Sequence, residues 1–381
     1  MSSISCYAMV VSGLESIAAR EIELRLGAKI TRKTDGLVTF KIDGPDPDLF
    51  DLKTTEDVFL FAWGTDSLTY RAKDLEDIRK WTAKDGDWAR LISQHHAIKP
   101  KTKGKPTYRF ITQMDGEHGY HRKDAQKEFA KGLAKFIPPN WRMVEDNASV
   151  EFWLTIEEKT AVAGIRITDK TMRHRTYKVA HRPASLRPSV AACMVRIADL
   201  KPQHKVIDPM CGAGTILGEY QLFAEGWRVP REAAWGGDIE QAAVLDASAN
   251  TRRLGKIYLH RWDARWLPLE ASSIDRIICN PPFGKQISSE VDINKLYRGL
   301  MIQFNRILAP DGKAVLLVSD YAAIKEACEN VGWKIEKKFR TQILGQNAVL
   351  SLWHKPAPEG TLPALEESTP YVVRNDFKGT E

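Results

Sequence analysis

The segment Val206-Ile207-Asp208-Pro209-Met210-Cys211-Gly212-Ala213-Gly214-Thr215 passes from an apolar run into an acid, a glycine-rich turn and the start of a helix. Ligands of open α/β sheets sit at the carboxyl ends of strands, at turns of this kind. Gly212 and Gly214 let the backbone approach a ligand closely, because no Cβ intervenes. Leu217 stands where a G-x-G-x-x-G turn has its third glycine, and the G-K-[ST] ending of a phosphate loop is absent. The Asp208 carboxylate would repel a pyrophosphate and suits a cationic ligand such as S-adenosylmethionine. Two later strand candidates also end in acids. Gly236-Gly237-Asp238 follows Gly214 by 24 residues, and Asp238 can accept both hydroxyls of a ribose. Trp262-Asp263-Ala264 follows the third, and Asp263 can hold an adenine amino group. A single acid of this sort is an ordinary surface residue; recurrence after three successive strands points to one ligand. A fourth strand candidate, Ile274–Cys279, runs into Asn280-Pro281-Pro282-Phe283-Gly284, two prolines and an aromatic ring beside the same turns.

Regular elements must hold these groups. From Lys205 onward, strand candidates at Lys205–Asp208, Ala233–Gly237, Lys256–His260, Arg276–Cys279 and Lys313–Val318 alternate with helical stretches. Such alternation predicts an α/β domain with a mostly parallel sheet covered on both faces. Trp333–Phe339 and Ala348–His354 then read as a terminal hairpin, where a nicotinamide-binding domain usually adds another parallel strand. Upstream, Ser5–Val11, a helix over Leu14–Leu26, the alternating Leu37, Val38, Phe40 and Ile42, a short helix near Pro47–Lys53 and a strand at Val58–Trp63 read as a β-α-β-β-α-β unit, the ferredoxin-like order. Residues 66 to about 170 mix helices (Leu75–Thr82, Trp88–Gln94, Asp124–Phe136) with strands (Tyr108–Gln113, Ser149–Ile156, Thr160–Ile167).

Composition bounds the rest. The chain has 381 residues, 43% hydrophobic and 28% charged, the balance of a soluble protein of two or three domains. No apolar run approaches the roughly 20 residues of a membrane helix. The N-terminus lacks the pattern of a secretion signal, and five scattered cysteines without C-x-x-C pairs suit a reducing cytoplasm. Net charge is +7, and residues 61–180 carry 23 basic against 16 acidic side chains. Two clusters stand out: Lys99, Lys101, Lys103, Lys105 and Arg109, then Arg166, Lys170, Arg173, Arg175 and Lys178. Clustered cations supply the phosphate-binding part of nucleic-acid affinity, so both are RNA-binding candidates.

Asn280-Pro281-Pro282-Phe283 resembles the [N/D]-P-P-[Y/F] motif of class I methyltransferases that act on amino groups conjugated to a planar system. An exocyclic amine delocalises its lone pair into the ring and is a weak nucleophile. The resemblance implies that the Asn280 side-chain oxygen and the Pro281 carbonyl accept its two N–H bonds, turning the lone pair toward the methyl donor. Phe283 would stack on the target base.

Most of the chain resembles the THUMP-domain RNA methyltransferases, in which a ferredoxin-like module and a THUMP module precede the catalytic domain. The carriers are Gly164-Ile165-Arg166, Arg173-His174-Arg175-Thr176-Tyr177 and Arg182-Pro183-Ala184-Ser185-Leu186-Arg187-Pro188 at the junction. Asp208–Gly214 matches D-P-x-C-G-[S/T]-G with Ala213 in place of the hydroxyl residue. The family implies a segment over Ser185, Leu186 and Arg187 that closes on S-adenosylmethionine. It implies cofactor contacts from Asp208, Met210, Cys211, Gly212, Gly214, Asp238, Ile239, Asp263, Ala264 and Asn280. The guanosine-10 branch typically has D-P-P-Y. N-P-P-F is nearer to the branch making N2-methylguanosine in the tRNA acceptor stem, so the expected partner is tRNA or another structured RNA. Expected modules are 1–65 ferredoxin-like, 66–170 THUMP, 171–190 linker, 191–355 methyltransferase and 356–381 a mobile tail. The expected protein is a monomer without metal or membrane; a small activator subunit stays open.

Other residues give weaker signals. His95-His96 and His118-x-x-His121 lack a third ligand at metal-site spacing. Cys211 as a nucleophile for carbon methylation fits less well than cofactor packing. Trp81, Trp88 and Trp141 read as core residues before base-stacking ones. Rival functions are methylation of guanine in ribosomal RNA, of DNA adenine or of protein glutamine, and an inert RNA-binding module.

Overall fold

A computed structural model describes residues 3–99, 104–182, 185–227, 232–283 and 292–358. Lys101, Lys103, most of the expected tail and part of the expected linker lie outside these residues.

The first compact unit comprises the residues up to Val10 together with Ala18–Arg173. Its elements are β1 (Ile4–Val10), α1 (Glu15–Leu26), β2 (Lys29–Thr34), β3 (Leu37–Ile42), β4 (Thr55–Thr65), α2 (Lys73–Lys84), α3 (Trp88–Ile98), β5 (Thr107–Asp115), α4 (Arg122–Leu133), β6 (Arg142–Met143), β7 (Val150–Glu157) and β8 (Thr160–Arg166). One sheet runs β2-β3-β1-β4-β8-β7-β5-β6. Its first four strands have the ferredoxin-like order, with a 3-10 turn at Pro47–Asp51 where a short helix was expected. Strand β2 offers no apolar alternation, because it is a largely exposed edge strand. The expected boundary at 65/66 falls at the end of β4, which pairs antiparallel with β8 and so continues the sheet. Phe40, Leu60, Trp88, Phe129 and Phe152 lie buried in one core. Trp81 and Trp141 pack at its margin.

The second unit comprises Val11–Ile17 and the chain from His174. It holds α5 (Pro188–Ile197), β9 (Val206–Asp208), α6 (Thr215–Ala224), β10 (Ala234–Asp238), α7 (Gln241–Thr251), β11 (Ile257–Arg261), β12 (Ile274–Cys279), α8 (Ile293–Ile307), β13 (Leu308–Val318), α9 (Tyr321–Asn330), β14 (Lys334–Ile343) and β15 (Gln346–His354). The sheet order is β11-β10-β9-β12-β13-β15-β14. The first five strands are parallel, and β15 lies antiparallel between β13 and β14. This is the class I methyltransferase sheet with its terminal hairpin. The hairpin closes through Leu344 and Gly345, both at positive φ (51° and 74°), as a two-residue turn matching strand twist requires.

Strand alternation sorts the core onto two faces. Val315, Leu317, Leu350 and Leu352 pack with α5 and α6, whereas Ala314, Leu316, Val318 and Trp353 pack with α8 and α9. With both faces covered, function is left to the strand ends. The chain leaves β9 toward β10 and β11, then crosses to β12 on the other flank. Ile207 therefore pairs with Ile277, and the carboxyl ends of β9 and β12 are neighbours. That reversal is where α/β sheets open a ligand crevice.

Candidate active site

The turn after β9 is built on two left-handed glycines. Gly212 has φ +50° and Gly214 φ +74°, and Gly214 donates from its backbone to Cys211 O at 2.7 Å. A Cβ on Gly214 would meet Ala247 at 3.0 Å, whereas a Cβ on Gly212 would point into open space. Gly214 thus serves packing against α7. Gly212 leaves the backbone bare toward the crevice, where a ligand can approach it.

Asp238, at the end of β10, accepts from Gly212 N at 3.0 Å and from Glu240 N at 3.0 Å. It fixes the turn from below. Asp208 is 1% exposed and accepts from Met210 N at 3.3 Å. Burial first, and the charge of Asp238 second, push its carboxyl well above the usual range, against the opposing Met210 N–H. A buried acid with so little hydrogen bonding is a standing cost to the fold that a cationic ligand would relieve. Its folded-state value lies above the unfolded one. The cost is therefore absent below the ordinary carboxylate value, grows as pH rises between the two, and is complete above the folded value. Asp208→Asn should stabilise the ligand-free protein by roughly 1–3 kcal/mol at neutral pH and by less in acid. Thermal unfolding across pH tests this; a variant midpoint no higher than wild type at any pH refutes it.

Burial, then Asp208 and Asp238, raise the Cys211 thiol well above its ordinary value. It stays protonated and is no nucleophile. Met210 is half-buried and Ile239 is 55% exposed beside Asp238. Ala264 is buried. Asp263 sits differently from its expected part. Arg265 grips both of its oxygens, Nε at 3.0 and 3.1 Å and Nη2 at 2.6 Å, and holds its pKa below the ordinary carboxylate value mainly through that hydrogen bond. An adenine amino group would have to share Asp263 with this guanidinium.

Asn280 follows β12 beside the Asp208 turn. Its Oδ1 is buried and has no hydrogen-bond partner among the described residues. An unpaired buried acceptor is costly, and here it lies at the sheet reversal. Pro281 is buried, and Phe283 is 3% exposed within the core that contains Leu186 and Cys211. Phe283 therefore packs as an anchor in this structure, with its ring covered. Ser185 approaches Thr215, hydroxyl to hydroxyl, at 3.5 Å; Leu186 is buried, and Arg187 caps α5 from the surface.

The basic residues separate by environment. Arg109 binds Glu151 (2.6 Å) and Asp146 (2.9 Å). Arg166 binds Asp57 (2.7 Å) and Glu151 (3.2 Å) and lies over the Trp153 ring, while Arg173 pairs with Asp57 as well. These three arginines balance two carboxylates of the sheet. Arg175 forms a buried pair with Glu219 of α6 at 2.9 Å, and Tyr177 donates to the same carboxylate at 2.8 Å. Lys178 donates to Leu186 O at 2.9 Å and Lys99 to Ile167 O at 3.5 Å. Lys105 and Lys170 stand exposed. Of the histidines, His95 is buried, with burial first and nearby Lys99 second lowering it to about 4, whereas His118 packs against Tyr70 and Tyr120.

The sequence pattern assigns no part to Glu219 or Asn250, whose partners lie far off along the chain, nor to Arg265, and it leaves the bond from Tyr177 to Glu219 unseen. Asn250 binds Ala180 and Ala213, 70 and 37 residues away. Only for Arg265 was a signal at hand, its place two residues after Asp263.

Residues 175–348 match the family model described as RMKL-like, methyltransferase domain. A tRNA (guanine(6)-N2)-methyltransferase of Thermus thermophilus is 27% identical over 232 residues, 60% of this chain and 67% of that protein. A U6 snRNA (guanine-N(2))-methyltransferase THUMPD2 of Mus musculus is 33% identical over 192 residues, half of this chain but 34% of that protein. The crystal structure of TrmN from Thermus thermophilus shares the fold, with a TM-score of 0.72 at 22% identity over 92% of this chain and 99% of that one.

Proposed function

We propose that this S-adenosylmethionine-dependent methyltransferase, whose residues 175–348 form an RMKL-like catalytic domain, methylates the exocyclic N2 amino group of a guanosine in tRNA, in the acceptor stem. The observation that carries the reading is the buried Oδ1 of Asn280, beside the Asp208 turn and without a hydrogen-bond partner among the described residues. An acceptor held there can take one N–H of an aromatic amine, and the Pro281 carbonyl the other. With both N–H bonds directed, the nitrogen lone pair faces the donor in line. The cofactor supplies an electrophilic methyl on a sulfonium.

The chain's own groups suit that cofactor. Gly212 offers bare backbone, Asp208 and Asp238 set two carboxyl groups against the turn, and Ile239 gives apolar surface at the rim. Asp263 would take the adenine amino group in exchange for part of its pairing with Arg265. Residues 185–187 would close the crevice. Residues 66–170 are assigned as the THUMP module. Lys105 and Lys170, exposed among the described residues, would meet phosphates; Lys101 and Lys103, expected to do the same, lie outside the described residues. Such contacts position an RNA without reading its sequence. Guanine and tRNA are taken from the names of the relatives.

Radiolabelled methyl transfer to tRNA, ribosomal RNA, U6 snRNA, DNA and protein, followed by nucleoside mass spectrometry, tests the reading. Label in tRNA as N2-methylguanosine is expected. Label confined to DNA or protein, or a different methylated nucleoside, overturns it. U6 snRNA as the preferred acceptor would favour the second reading that the mouse relative suggests.

A further inference from the structure

Asn250, near the end of α7, is 2% exposed. Its Nδ2 donates to Ala180 O at 3.0 Å and to Ala213 O at 2.9 Å, and its Oδ1 accepts from Ala180 N at 2.7 Å. One primary amide thus closes a two-way pair with the backbone of Ala180, as a neighbouring strand would. Its second N–H goes to the carbonyl between Gly212 and Gly214. Both N–H groups are engaged, so the side chain cannot shift toward one partner without straining the other. The segment from His174 to Arg182 is itself strapped down at both ends. Arg175 and Tyr177 bind Glu219, and the Tyr177 ring lies so close to Gly218 that a Cβ there would come within 2.7 Å of it. At the other end Arg182 pairs with Asp246 at 3.1 Å and with Glu240, residues at or beside α7.

We propose that Asn250 is a positioning residue that makes the geometry of the cofactor turn depend on the seating of the 174–182 strap. Seated, the strap holds the amide in the plane that presents Nδ2–H to Ala213 O, and the turn keeps its left-handed glycines. Displaced, it removes two of the three bonds orienting the amide and releases Ala213. Turns with alternating glycines have little stiffness of their own, so an external tether sets their shape. The strap joins the catalytic domain to the chain that precedes it, so whatever shifts the strap alters cofactor affinity without touching the cofactor. This inference rests on reading Gly212–Gly214 as the cofactor turn.

The test is a double-mutant cycle on the full chain, read by calorimetry with S-adenosylhomocysteine. Arg182→Ala loosens the strap at its surface end, away from Ala213. Asn250→Ala should weaken binding about tenfold, since it removes every Asn250 hydrogen bond that tethers Ala213 to the strap. Arg182→Ala should weaken it less, and the double variant should bind no worse than Asn250→Ala alone. A double variant whose loss is the product of the two single losses overturns the coupling, as does wild-type binding by Asn250→Ala. If Asn250→Ala does not fold, Asn250→Asp replaces it in the cycle, since it keeps the acceptor for Ala180 N and loses the donors. Hydrogen exchange needs neither: Arg182→Ala should speed exchange of the 212–215 amides, and unchanged rates there refute the proposal. A wild-type protein that fails to bind S-adenosylhomocysteine would instead sink the cofactor-site reading.

Discussion

Asn280→Ala lowers the rate of methyl transfer by roughly 10³, while S-adenosylhomocysteine affinity stays almost unchanged, the magnitude seen when one preorganised polar group is removed from a reacting centre. The physical basis is the isolation of Oδ1. In the free protein this oxygen is buried and has no hydrogen-bond partner among the described residues. Folding has already met the cost of desolvating it, and the acceptor need not reorganise when an amine arrives. Alanine removes the group that directs one N–H, and the nitrogen lone pair returns to conjugation with the ring. Asn280→Asp keeps an acceptor of the same shape and should retain more activity than alanine. Single-turnover rates with saturating cofactor, beside calorimetry, separate chemistry from binding. A rate near wild type for Asn280→Ala would refute the mechanism. Loss of cofactor affinity as large as the loss of rate would reassign Asn280 to cofactor binding.

The second large effect concerns stability. Arg175→Ala destabilises the catalytic unit by about 3–5 kcal/mol, because it removes the guanidinium that pairs with a buried carboxylate. The Glu219 side chain is 0% exposed and accepts from both Arg175 and Tyr177. Without the guanidinium, Glu219 must take up a proton or draw water into α6, the helix that follows the glycine turn. Arg175→Met combined with Glu219→Leu should recover much of the loss, since an apolar pair of similar volume leaves no charge behind. Scanning calorimetry of the full chain reads both. An Arg175→Ala transition within about 1 kcal/mol of wild type, the range of exposed ion pairs, would show that Arg175 behaves as a surface cation free to meet RNA. The prediction thereby separates a structural arginine from a phosphate-binding one at a position where both readings are chemically sensible.

Legibility in the sequence followed the range of the interaction. Asp208 to Gly214, Gly237-Asp238, Trp262-Asp263 and Asn280 to Phe283 are each written within a few residues. A strand end, a left-handed glycine and a proline turn are local events, and their residue types announce them. The parallel sheet and its hairpin were legible too, because strand-helix alternation is a periodic signal and the adjacent strand candidates Trp333–Phe339 and Ala348–His354 interrupt it. Strand β2 was not: a polar edge strand has no buried face to impose a period.

What the amino-acid sequence determined by itself is the chemistry on offer: a glycine turn flanked by acids, an N-P-P-F acceptor and a basic middle segment. The tertiary structure decided which of those groups are available. It brought Asp208 and Asn280 together through a crossover that pairs Ile207 with Ile277. It gave Arg109, Arg166, Arg173 and Arg175 to Glu151, Asp57 and Glu219, and it covered Phe283. Charge and aromaticity belong to a residue, whereas exposure and pairing belong to its neighbours. Arg166 and Asp57 are 109 residues apart, and at such separations no local pattern records the partner.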